Sequence, residues 1–393
     1  MDGHPPGTAE VDLGPLGLDG GGHLLVARAL APLPPGGRLR VTGSDGHLGV
    51  HLQAWARRRG HGVEGTTVVR GAADRQRLAG AVRAGEPGAV AGRADATWGL
   101  AARGALVEAG APPLAGADLD ERAVVWTELA PKLYAQAAAG QWDPATAIDW
   151  DPPALPGEVE AAVVQVMTYL VENEQAALAV PARFLGRIHP HFREVVQFLA
   201  TQVADEARHV EVFTRRALLC GGELGISGAG GRASLQTLLD EPDWPTASFL
   251  LSALGEGTFL SLLSFLERRA PDPVTARIAR LALQDEARHV AFAMGHLGEH
   301  LRAAPGLRSR LRAAVLRRHD ALASTAGLAD SVDDALVVLA AGAFTPAAIG
   351  AGWRRVRQLE VEMDEARRRR LVRLGFADAE ATELSALHTR NFM

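Results

Sequence analysis

The hexapeptide Asp-Glu-Ala-Arg-His-Val occurs twice in the chain, at residues 205–210 and again at 285–290. A helix places residues i and i+3 on one face, so the glutamate and the histidine of each copy project together. The two pairs are Glu206 with His209 and Glu286 with His289. Both stripes are otherwise mainly apolar, which directs each pair into a helical core. A buried, unpaired carboxylate is costly there, and a bound divalent metal ion removes that cost.

A two-metal site of this kind takes one further glutamate from each of two neighbouring helices. In the second half of the chain, Glu256 is the one acid of the otherwise apolar segment 248–266 and precedes Glu286 by 30 residues. This position makes Glu256 the predicted third ligand of that half. Carboxylate and imidazole ligands together suit iron or manganese.

The first half offers two acids, Glu172 and Glu174, in the helical segment 158–185. Glu174 continues an apolar stripe and precedes Glu206 by 32 residues, whereas Glu172 continues a polar face. We therefore choose Glu174. The predicted metal ligands are Glu174, Glu206, His209, Glu256, Glu286 and His289.

The charged residues beside these ligands have an expected role of their own. A metal-bound histidine usually donates its other ring proton to a carboxylate. We expect Asp205 and Asp285 to accept these protons, each from the histidine of the opposite helix rather than from its own. Arg208 and Arg288 are expected to pair with the two aspartates and balance their charge. The alternative for all four is an ion pair on an exposed helix surface.

The predicted architecture is mainly α, a four-helix bundle with extra helices, preceded by a small α+β domain. From Asp118 onward apolar residues recur at spacings of three and four, and strand patterns vanish. A glycine-rich loop, 221–231, divides this part into halves that each carry a helix, a connection and one hexapeptide helix. The predicted domains are 1–71, a connector over 72–117, and a helical domain over 118–393.

The first 71 residues show a β-α-β-α-β pattern. The predicted strands and helices, in chain order, are 11–13, 23–30, 38–43, 47–60 and 63–71. The stretch from Gly22 to Asp45 resembles the small sulfur-relay domains of the TusA/SirA type. Those domains carry a Cys-Pro dipeptide just before the first helix, where this chain has Asp19 to His23. We therefore expect a docking or dimerisation module without sulfur transfer.

Several classes of function are excluded by composition. The net charge of −5 is too small to predict nucleic-acid binding. The single cysteine, Cys220, allows neither a disulfide framework nor a thiolate metal site. No secretory signal follows Met1, and Ala335 to Trp353 is predicted to be a core helix plus a turn rather than a membrane span. These patterns predict a cytoplasmic protein that does not enter a membrane.

Glu…Asp-Glu-Ala-Arg-His, present twice, resembles the ferritin-like di-iron carboxylate proteins over roughly residues 120–310. The form of the motif is most similar to their oxygen-activating branch, which includes multicomponent monooxygenase hydroxylases, ribonucleotide reductase small subunits and aryl-amine N-oxygenases. The lead-in Gln141-Trp142-Asp143 is similar to segments before the first bundle helix of such proteins. The resemblance implies two Fe ions, or a mixed Mn/Fe pair, with O2 as co-substrate.

The resemblance also limits which types of reaction are expected. Phe213 stands where ribonucleotide reductase small subunits carry a radical tyrosine, and Tyr169 is predicted on a more polar face. Oxidation of a small organic substrate by N-oxygenation, hydroxylation, desaturation or C–C cleavage is therefore expected. Aryl-amine N-oxygenases carry a further histidine ligand, and His296 or His300 is the candidate for it, with an ordinary surface or supporting histidine as the alternative.

The expected electron-transfer partners of the protein are inferred from motifs that its sequence lacks. It carries no reductase, flavin or Fe–S motif, so we expect electrons from a separate donor such as a ferredoxin or a reductase, from a chemical reductant or from the substrate. A homodimer is also expected. The alternative function is a non-catalytic or peroxide-handling ferritin-like metal-binding protein.

Overall fold

The computed structural model describes residues 8–72, 78–220, 222–323 and 330–387. The chain divides into two compact units. Unit 1 comprises residues 1–87 and 101–113, and unit 2 comprises residues 88–100 and 114–393. The segment that we predicted to be a connector, 72–117, is therefore shared between the two units.

Unit 1 contains a four-stranded sheet with strand order β1-β2-β4-β3 and two helices. The elements are β1 Ala9–Asp12, α1 His23–Leu30, β2 Arg38–Thr42, α2 Leu48–Arg58, β3 Gly62–Glu64 and β4 Thr67–Val69. Strand β1 is parallel to β2, and both β2 and β3 are antiparallel to β4. A small second ladder pairs β5 Val82–Arg83 with β6 Leu106–Val107.

The last strand of the predicted pattern, 63–71, is a hairpin of β3 and β4 instead. Gly65 lies between them with φ of 61°, a backbone conformation that favours glycine, so the chain reverses there. The apolar sides of the sheet and helices enclose a core that includes Val26, Leu39, Leu52 and Val68. The resemblance of this unit to sulfur-relay domains stays a prediction.

Unit 2 is helical, and four of its long helices form the bundle. Its helices are α3 Arg122–Val125, α4 Ala130–Ala139, α5 Gly157–Leu185, α6 Arg193–Leu218, α7 Ala229–Leu239, α8 Trp244–Arg269, α9 Pro273–Ala303, α10 Leu307–Leu322, α11 Asp330–Ala341, α12 Pro346–Arg373 and α13 Asp378–Leu387. Helix α5 packs against α6, α8 packs against α9, and α6 packs against α9. The prediction of a ferritin-like bundle with extra helices is confirmed.

Helices α8 and α9 of the bundle begin with the same type of N-terminal cap. Asp272 caps α9 by accepting a hydrogen bond from the Thr275 amide at 2.8 Å. Asp243 caps α8 by accepting one from the Thr246 amide at 3.2 Å. A proline occupies the first turn of both helices, where no amide proton is needed. These caps set where α8 and α9 start, and hence which residues face the core.

The middle of α8, Phe249–Glu256, is π-helical, and Glu256 is its last residue. Local π-helical turns re-aim side chains and occur often at functional sites. Arg370 of α12 donates its Nε to the carbonyl oxygen of Ala253 within this segment, at 2.7 Å. An outer helix therefore supports the irregular turn that presents Glu256.

The face of α5 that we predicted to be polar is covered by other parts of the chain. Gln165 accepts from the Ile226 amide at 2.8 Å, and the Thr168 hydroxyl accepts from the Gly225 amide at 2.8 Å. Tyr169, predicted on this more polar face, is only 4% exposed. Helix α11 also packs on α5. Polar side chains here bind backbone groups rather than water, which a helical pattern alone does not reveal.

In the described residues, one helix has the length and hydropathy of a membrane span. It is α8, with mean hydropathy of 1.6 over its most apolar window, and 83% of that window is buried in the protein. The apolar segment 335–353 belongs to α11 and α12, whose axes are bent by 116°. This agrees with the predicted core helix and turn.

Candidate metal centre

The structure brings all six predicted ligands together in the bundle core. They form two overlapping groups in which the potential ligand atoms lie within 4.8 Å of one another. The first group contains Glu174, Glu206, His209 and Glu286; the second contains Glu206, Glu256, Glu286 and His289. Glu206 and Glu286 occur in both groups. These two carboxylates would therefore be available to both ions if two metal ions were bound here.

Each histidine turns its Nδ1 atom towards the carboxylates. His209 Nδ1 lies 3.1 Å from Glu206, 3.4 Å from Glu286 and 3.5 Å from Glu174. His289 Nδ1 lies 3.1 Å from Glu206 and 3.5 Å from Glu286. Glu206 is thus the nearest of these carboxylates to both histidines.

The unsatisfied polar atoms of this cluster fit a metal pair. Glu206 Oε1, Glu256 Oε2, Glu286 Oε2 and His289 Nδ1 are buried and make no hydrogen bond within the described part of the chain. His289 Nδ1 and Glu206 Oε1 are close, yet they are not in hydrogen-bonding geometry. A buried polar atom without a hydrogen-bond partner costs free energy. A metal cation bound among these converging atoms would give them a shared partner.

Without metal, the cluster has strongly perturbed pKa values. Burial raises the pKa of Glu174 and of Glu256, and neighbouring carboxylates raise it further. Burial would also raise the pKa of Glu206, but the charges of His289 and His209 and their hydrogen bonds outweigh it and lower that pKa. Burial would lower the pKa values of the two histidines, and their carboxylate neighbours outweigh it and raise them. Protons therefore occupy ligand atoms when metal is absent.

The other ring nitrogen of each histidine faces an aspartate of the opposite helix. His209 Nε2 is 3.3 Å from Asp285 Oδ2, and His289 Nε2 is 3.2 Å from Asp205 Oδ2. Burial would raise the pKa of Asp285, but the hydrogen bond and charge of His209 outweigh it and lower that pKa. Each aspartate can thus fix the ring orientation of one histidine and leave Nδ1 free for metal.

Two arginines form hydrogen bonds with these two aspartates. Arg208 bonds Asp205 on its own helix and reaches Asp285 at 3.3 Å. Arg288 bonds Asp285 on its own helix and reaches Asp205 at 3.4 Å. Both side chains are only 13% exposed. The four residues form a crossed ion-pair network rather than separate surface pairs.

Three residues that contact this site carry no predicted role from the sequence. Trp142 donates its indole N–H to Asp285 Oδ2 at 2.8 Å, and Gln141 donates to Asp205 Oδ1 at 3.2 Å. Gln202 donates to Glu256 Oε1 at 3.2 Å. Gln202 lies on the same apolar stripe as Glu206, so a polar residue on that stripe was the available signal. The Gln141-Trp142 pair carried a signal only as part of the lead-in resemblance.

His296 and His300 lie outside both groups of ligand atoms. His296 Nε2 is 2.7 Å from the Ser248 hydroxyl, and its Nδ1 is 3.3 Å from the Val124 carbonyl oxygen. Burial lowers the pKa of His296 to about 3, so the ring is neutral at ordinary pH. Both ring nitrogens are engaged by groups other than the cluster. The structure therefore gives His296 a structural position rather than that of an extra ligand.

A pocket adjoins the cluster. The space in it that a water-sized molecule can occupy is about 20 Å³, roughly what one water molecule needs. Glu174, Glu256 and Glu286 line one part of it. Its apolar lining comprises Ala177, Leu235, Leu238, Leu250, Leu251 and Phe259. A mostly apolar pocket with a few polar groups is typical of small-molecule sites.

The bundle and its site define a class of protein. One glutamate from each of two helices and a Glu-x-x-His motif from each of the other two, all projecting inward, are the ligand arrangement of ferritin-like di-metal carboxylate bundles. No protein-family model matches the chain, and no curated protein matches it.

Solved structures with a similar fold were found. A variant of an R2-like ligand-binding oxidase with an aerobically reconstituted Mn/Fe cofactor is 20% identical, with a TM-score of 0.43, over 67% of this chain and 95% of that one. A Synechococcus protein with aldehyde deformylating oxidase activity is 14% identical, with a TM-score of 0.43, over 58% of this chain and 96% of that one. Likenesses at this level do not bear on activity, which has to be argued from the site.

Proposed function

We propose that this protein is a di-metal oxidase that binds two Fe ions, or a mixed Mn/Fe pair, and uses O2 to oxidise a small organic substrate. One observation carries the proposal: two groups of ligand atoms share Glu206 and Glu286 beside an apolar pocket. N-oxygenation, hydroxylation, desaturation and C–C cleavage are all compatible with this site. The expected electron donor is a separate ferredoxin or reductase.

The residues of the chain contribute position and environment. Two ferrous ions bound here would supply two electrons to O2. Glu174 and Glu256 each serve one half of the site, and Asp205 and Asp285 hold the histidine rings in orientation. The apolar pocket wall excludes bulk water from the reacting groups. A pocket of this kind favours substrate oxidation over iron storage, which needs no organic ligand site.

The proposed function is tested by mixing the protein, loaded anaerobically with two equivalents of ferrous ion, with O2. We expect a transient visible absorption that forms in a stopped-flow experiment and decays faster when a candidate substrate is present. Product should appear in proportion to the O2 consumed. Slow formation of ferric mineral, at a rate that no substrate changes, would contradict the proposal and support iron handling.

Metal binding is expected to release protons. The pKa values of Glu174, Glu256, His209 and His289 are raised, so these groups hold protons that a metal ion must displace. Metal affinity should therefore rise with pH, by about tenfold per pH unit for each proton displaced. Calorimetric titration with Fe(II) in two buffers of different ionisation enthalpy, at pH 6 and pH 8, measures the metal affinity and the number of protons released. Equal affinity at the two pH values would contradict this expectation.

Replacement of Asp285 by asparagine is expected to lower metal affinity. The carboxylate accepts from His209 and Trp142, and loss of such a partner typically costs about 10- to 100-fold in affinity. Competition with a chromophoric chelator measures the change. Asp149→Asn is the matched control, since Asp149 is exposed. An unchanged affinity in Asp285→Asn would remove the aspartate from the proposed role.

A further inference from the structure

The π-helical segment of α8, Phe249–Glu256, is supported by a side chain from outside the bundle. A π-helical turn pairs residues i and i+5, so it interrupts the regular ladder of α-helical hydrogen bonds. Two carbonyl oxygens near the end of the segment accept bonds from side chains. Ala253 O accepts from Arg370 Nε at 2.7 Å, and Leu254 O accepts from the Thr258 hydroxyl at 2.7 Å. These bonds help to satisfy backbone groups that are costly to leave unpaired in a buried helix.

Arg370 also lies directly against Gly257, the residue that follows Glu256. A methyl group on Gly257 would overlap Arg370 Nε and would lie 2.6 Å from Arg370 Cζ. Such distances are much shorter than a van der Waals contact. Glycine at this position therefore allows the guanidinium to pass close to the α8 backbone and to reach the carbonyl group of Ala253.

The two glutamates that each belong to only one ligand group lie on backbones of different kinds. Glu174 is inside the continuous helix α5, whereas Glu256 ends the π-helical segment that Arg370 contacts. Burial raises the pKa of Glu256, and the charges that act most on it belong to other residues of the cluster. The contact of Arg370 is with the backbone of α8, so its effect on Glu256 is positional.

We propose that Arg370 is a positioning residue for Glu256, and that it thereby raises the metal affinity of the half of the centre that contains His289. The guanidinium fixes the π-helical turn, and the turn decides where the Glu256 carboxylate stands relative to the other ligands of its group. Binding groups have to be held to within about 0.5 Å, so a displaced ligand binds its metal ion more weakly. The proposal rests on the metal centre of the proposed function and requires neither O2 nor a substrate.

Mn(II) is a suitable probe, because the unbound ion gives an electron paramagnetic resonance signal that measures free metal directly. Titration of the metal-free full chain yields two stepwise dissociation constants. The Glu174→Ala and Glu256→Ala variants assign each constant to one half of the centre. Arg370→Met is expected to raise, by about tenfold, the Kd of the ion that Glu256→Ala also weakens, and to leave the other Kd unchanged.

A double-substitution cycle distinguishes a positional effect from a general loss of structure. In the Glu256→Ala background, Arg370→Met should change neither Kd, because the ligand that Arg370 positions is already absent. In the Glu174→Ala background, Arg370→Met should still raise the Kd of the half with His289 by about tenfold. Only a role exerted through Glu256 gives this pair of results.

Gly257→Ala tests the same contact from the other side. Its added methyl group displaces the Arg370 guanidinium, so this variant should raise the same Kd as Arg370→Met. Alanine favours a helix more than glycine does, so such a loss of affinity would not come from a weaker helix. Gly298→Ala in α9 is the matched control, since a methyl group there meets no atom within 4 Å outside its own helical turn. It should leave both dissociation constants unchanged.

Arg367→Met is the matched control for Arg370→Met. Arg367 lies one turn earlier in α12, and burial lowers the pKa of both side chains to about 10. Arg367 donates to the Ser385 carbonyl oxygen of α13 rather than to α8. Its replacement should leave both dissociation constants unchanged. Circular dichroism establishes whether each variant keeps its helix content.

Three outcomes would overturn the proposal. An unchanged pair of dissociation constants in Arg370→Met removes Arg370 from the positioning of Glu256. An equal rise of both constants, or a rise that persists in the Glu256→Ala background, shows a general effect on the bundle. Absence of Mn(II) binding by the wild-type chain removes the centre, and with it both the oxidase and the role of Arg370. Failure of the O2 experiment, with the selective effect of Arg370→Met intact, would instead refute only the proposed oxidase.

Discussion

Replacement of Glu206 by alanine is expected to abolish binding of both metal ions. Glu206 belongs to both groups of ligand atoms, and its two oxygens lie 3.1 Å from the Nδ1 atoms of His209 and His289. Removing it takes one ligand from each ion and leaves two buried histidines without their nearest carboxylate. Metal content after anaerobic loading and desalting, measured by plasma emission spectrometry, should fall from two ions per chain to none.

Replacement of a glutamate that belongs to only one group is expected to affect mainly one of the two metal ions. Glu174 belongs only to the group with His209, and Glu256 only to the group with His289. Glu174→Ala and Glu256→Ala should therefore each weaken one ion more than the other, which leaves about one ion per chain at limiting metal. Glu172→Ala is the control for Glu174→Ala, because Glu172 is half-buried and lies outside both groups.

The opposite pattern would refute the ligand assignment. Retention of two ions in Glu206→Ala would show that the cluster is not a shared di-metal site. Loss of metal from Glu172→Ala, with Glu174→Ala unaffected, would show that the wrong acid of α5 was chosen. Circular dichroism of each variant separates loss of ligand from loss of fold, since the helix content should not change.

Of all the substitutions described, replacement of Arg216 by alanine is expected to lower the free energy of unfolding most. Arg216 is fully buried and donates to Glu160 at 2.6 Å, to Asp272 at 3.0 Å and to Thr275 at 2.9 Å. It thereby ties the end of α6 to the starts of α5 and α9. Loss of one partner from a buried ion pair costs about 3–5 kcal/mol, because a charge stays buried without compensation.

Urea unfolding followed by circular dichroism measures the free energy of unfolding of the Arg216→Ala variant. Arg215→Ala is the matched control, since Arg215 is the preceding residue but is exposed and lies over the Trp150 ring at 4.0 Å. Its expected effect is below about 1 kcal/mol. A loss for Arg216→Ala no larger than that of Arg215→Ala would show that the network does not stabilise the bundle.

The residues that meet in the cluster were predictable because their signal is local. Glu206 and His209 are separated by one helical turn, so the periodicity of α6 decides that they share a face, whatever surrounds them. Repetition of the motif in α9, together with one acid in each apolar partner helix, then implied two matching halves. Element order in unit 1 was predictable for the same reason, because its strands and helices are short and bounded by glycine and proline.

Contacts between distant segments were not predictable in this way. Tyr169 is buried, and its ring stacks on that of Phe259 in α8 with centroids 6.0 Å apart, a contact that no pattern within α5 encodes. His296 shares a helical face with His289, yet its ring bonds Ser248 of α8 and the carbonyl oxygen of Val124. Arg318 enters the pocket from a helix whose own sequence is strongly basic and suggests a solvated surface.

By itself, the amino-acid sequence determined which residue types face the bundle core and that the two hexapeptides are halves of one site. Helical periodicity is a property of each segment, so it survives without knowledge of the neighbours. Only the tertiary structure decided that Glu206 and Glu286 are shared, that Nδ1 faces the centre, and that a mostly apolar pocket adjoins it. These features depend on how the helices pack, and packing is set by side chains far apart in the chain.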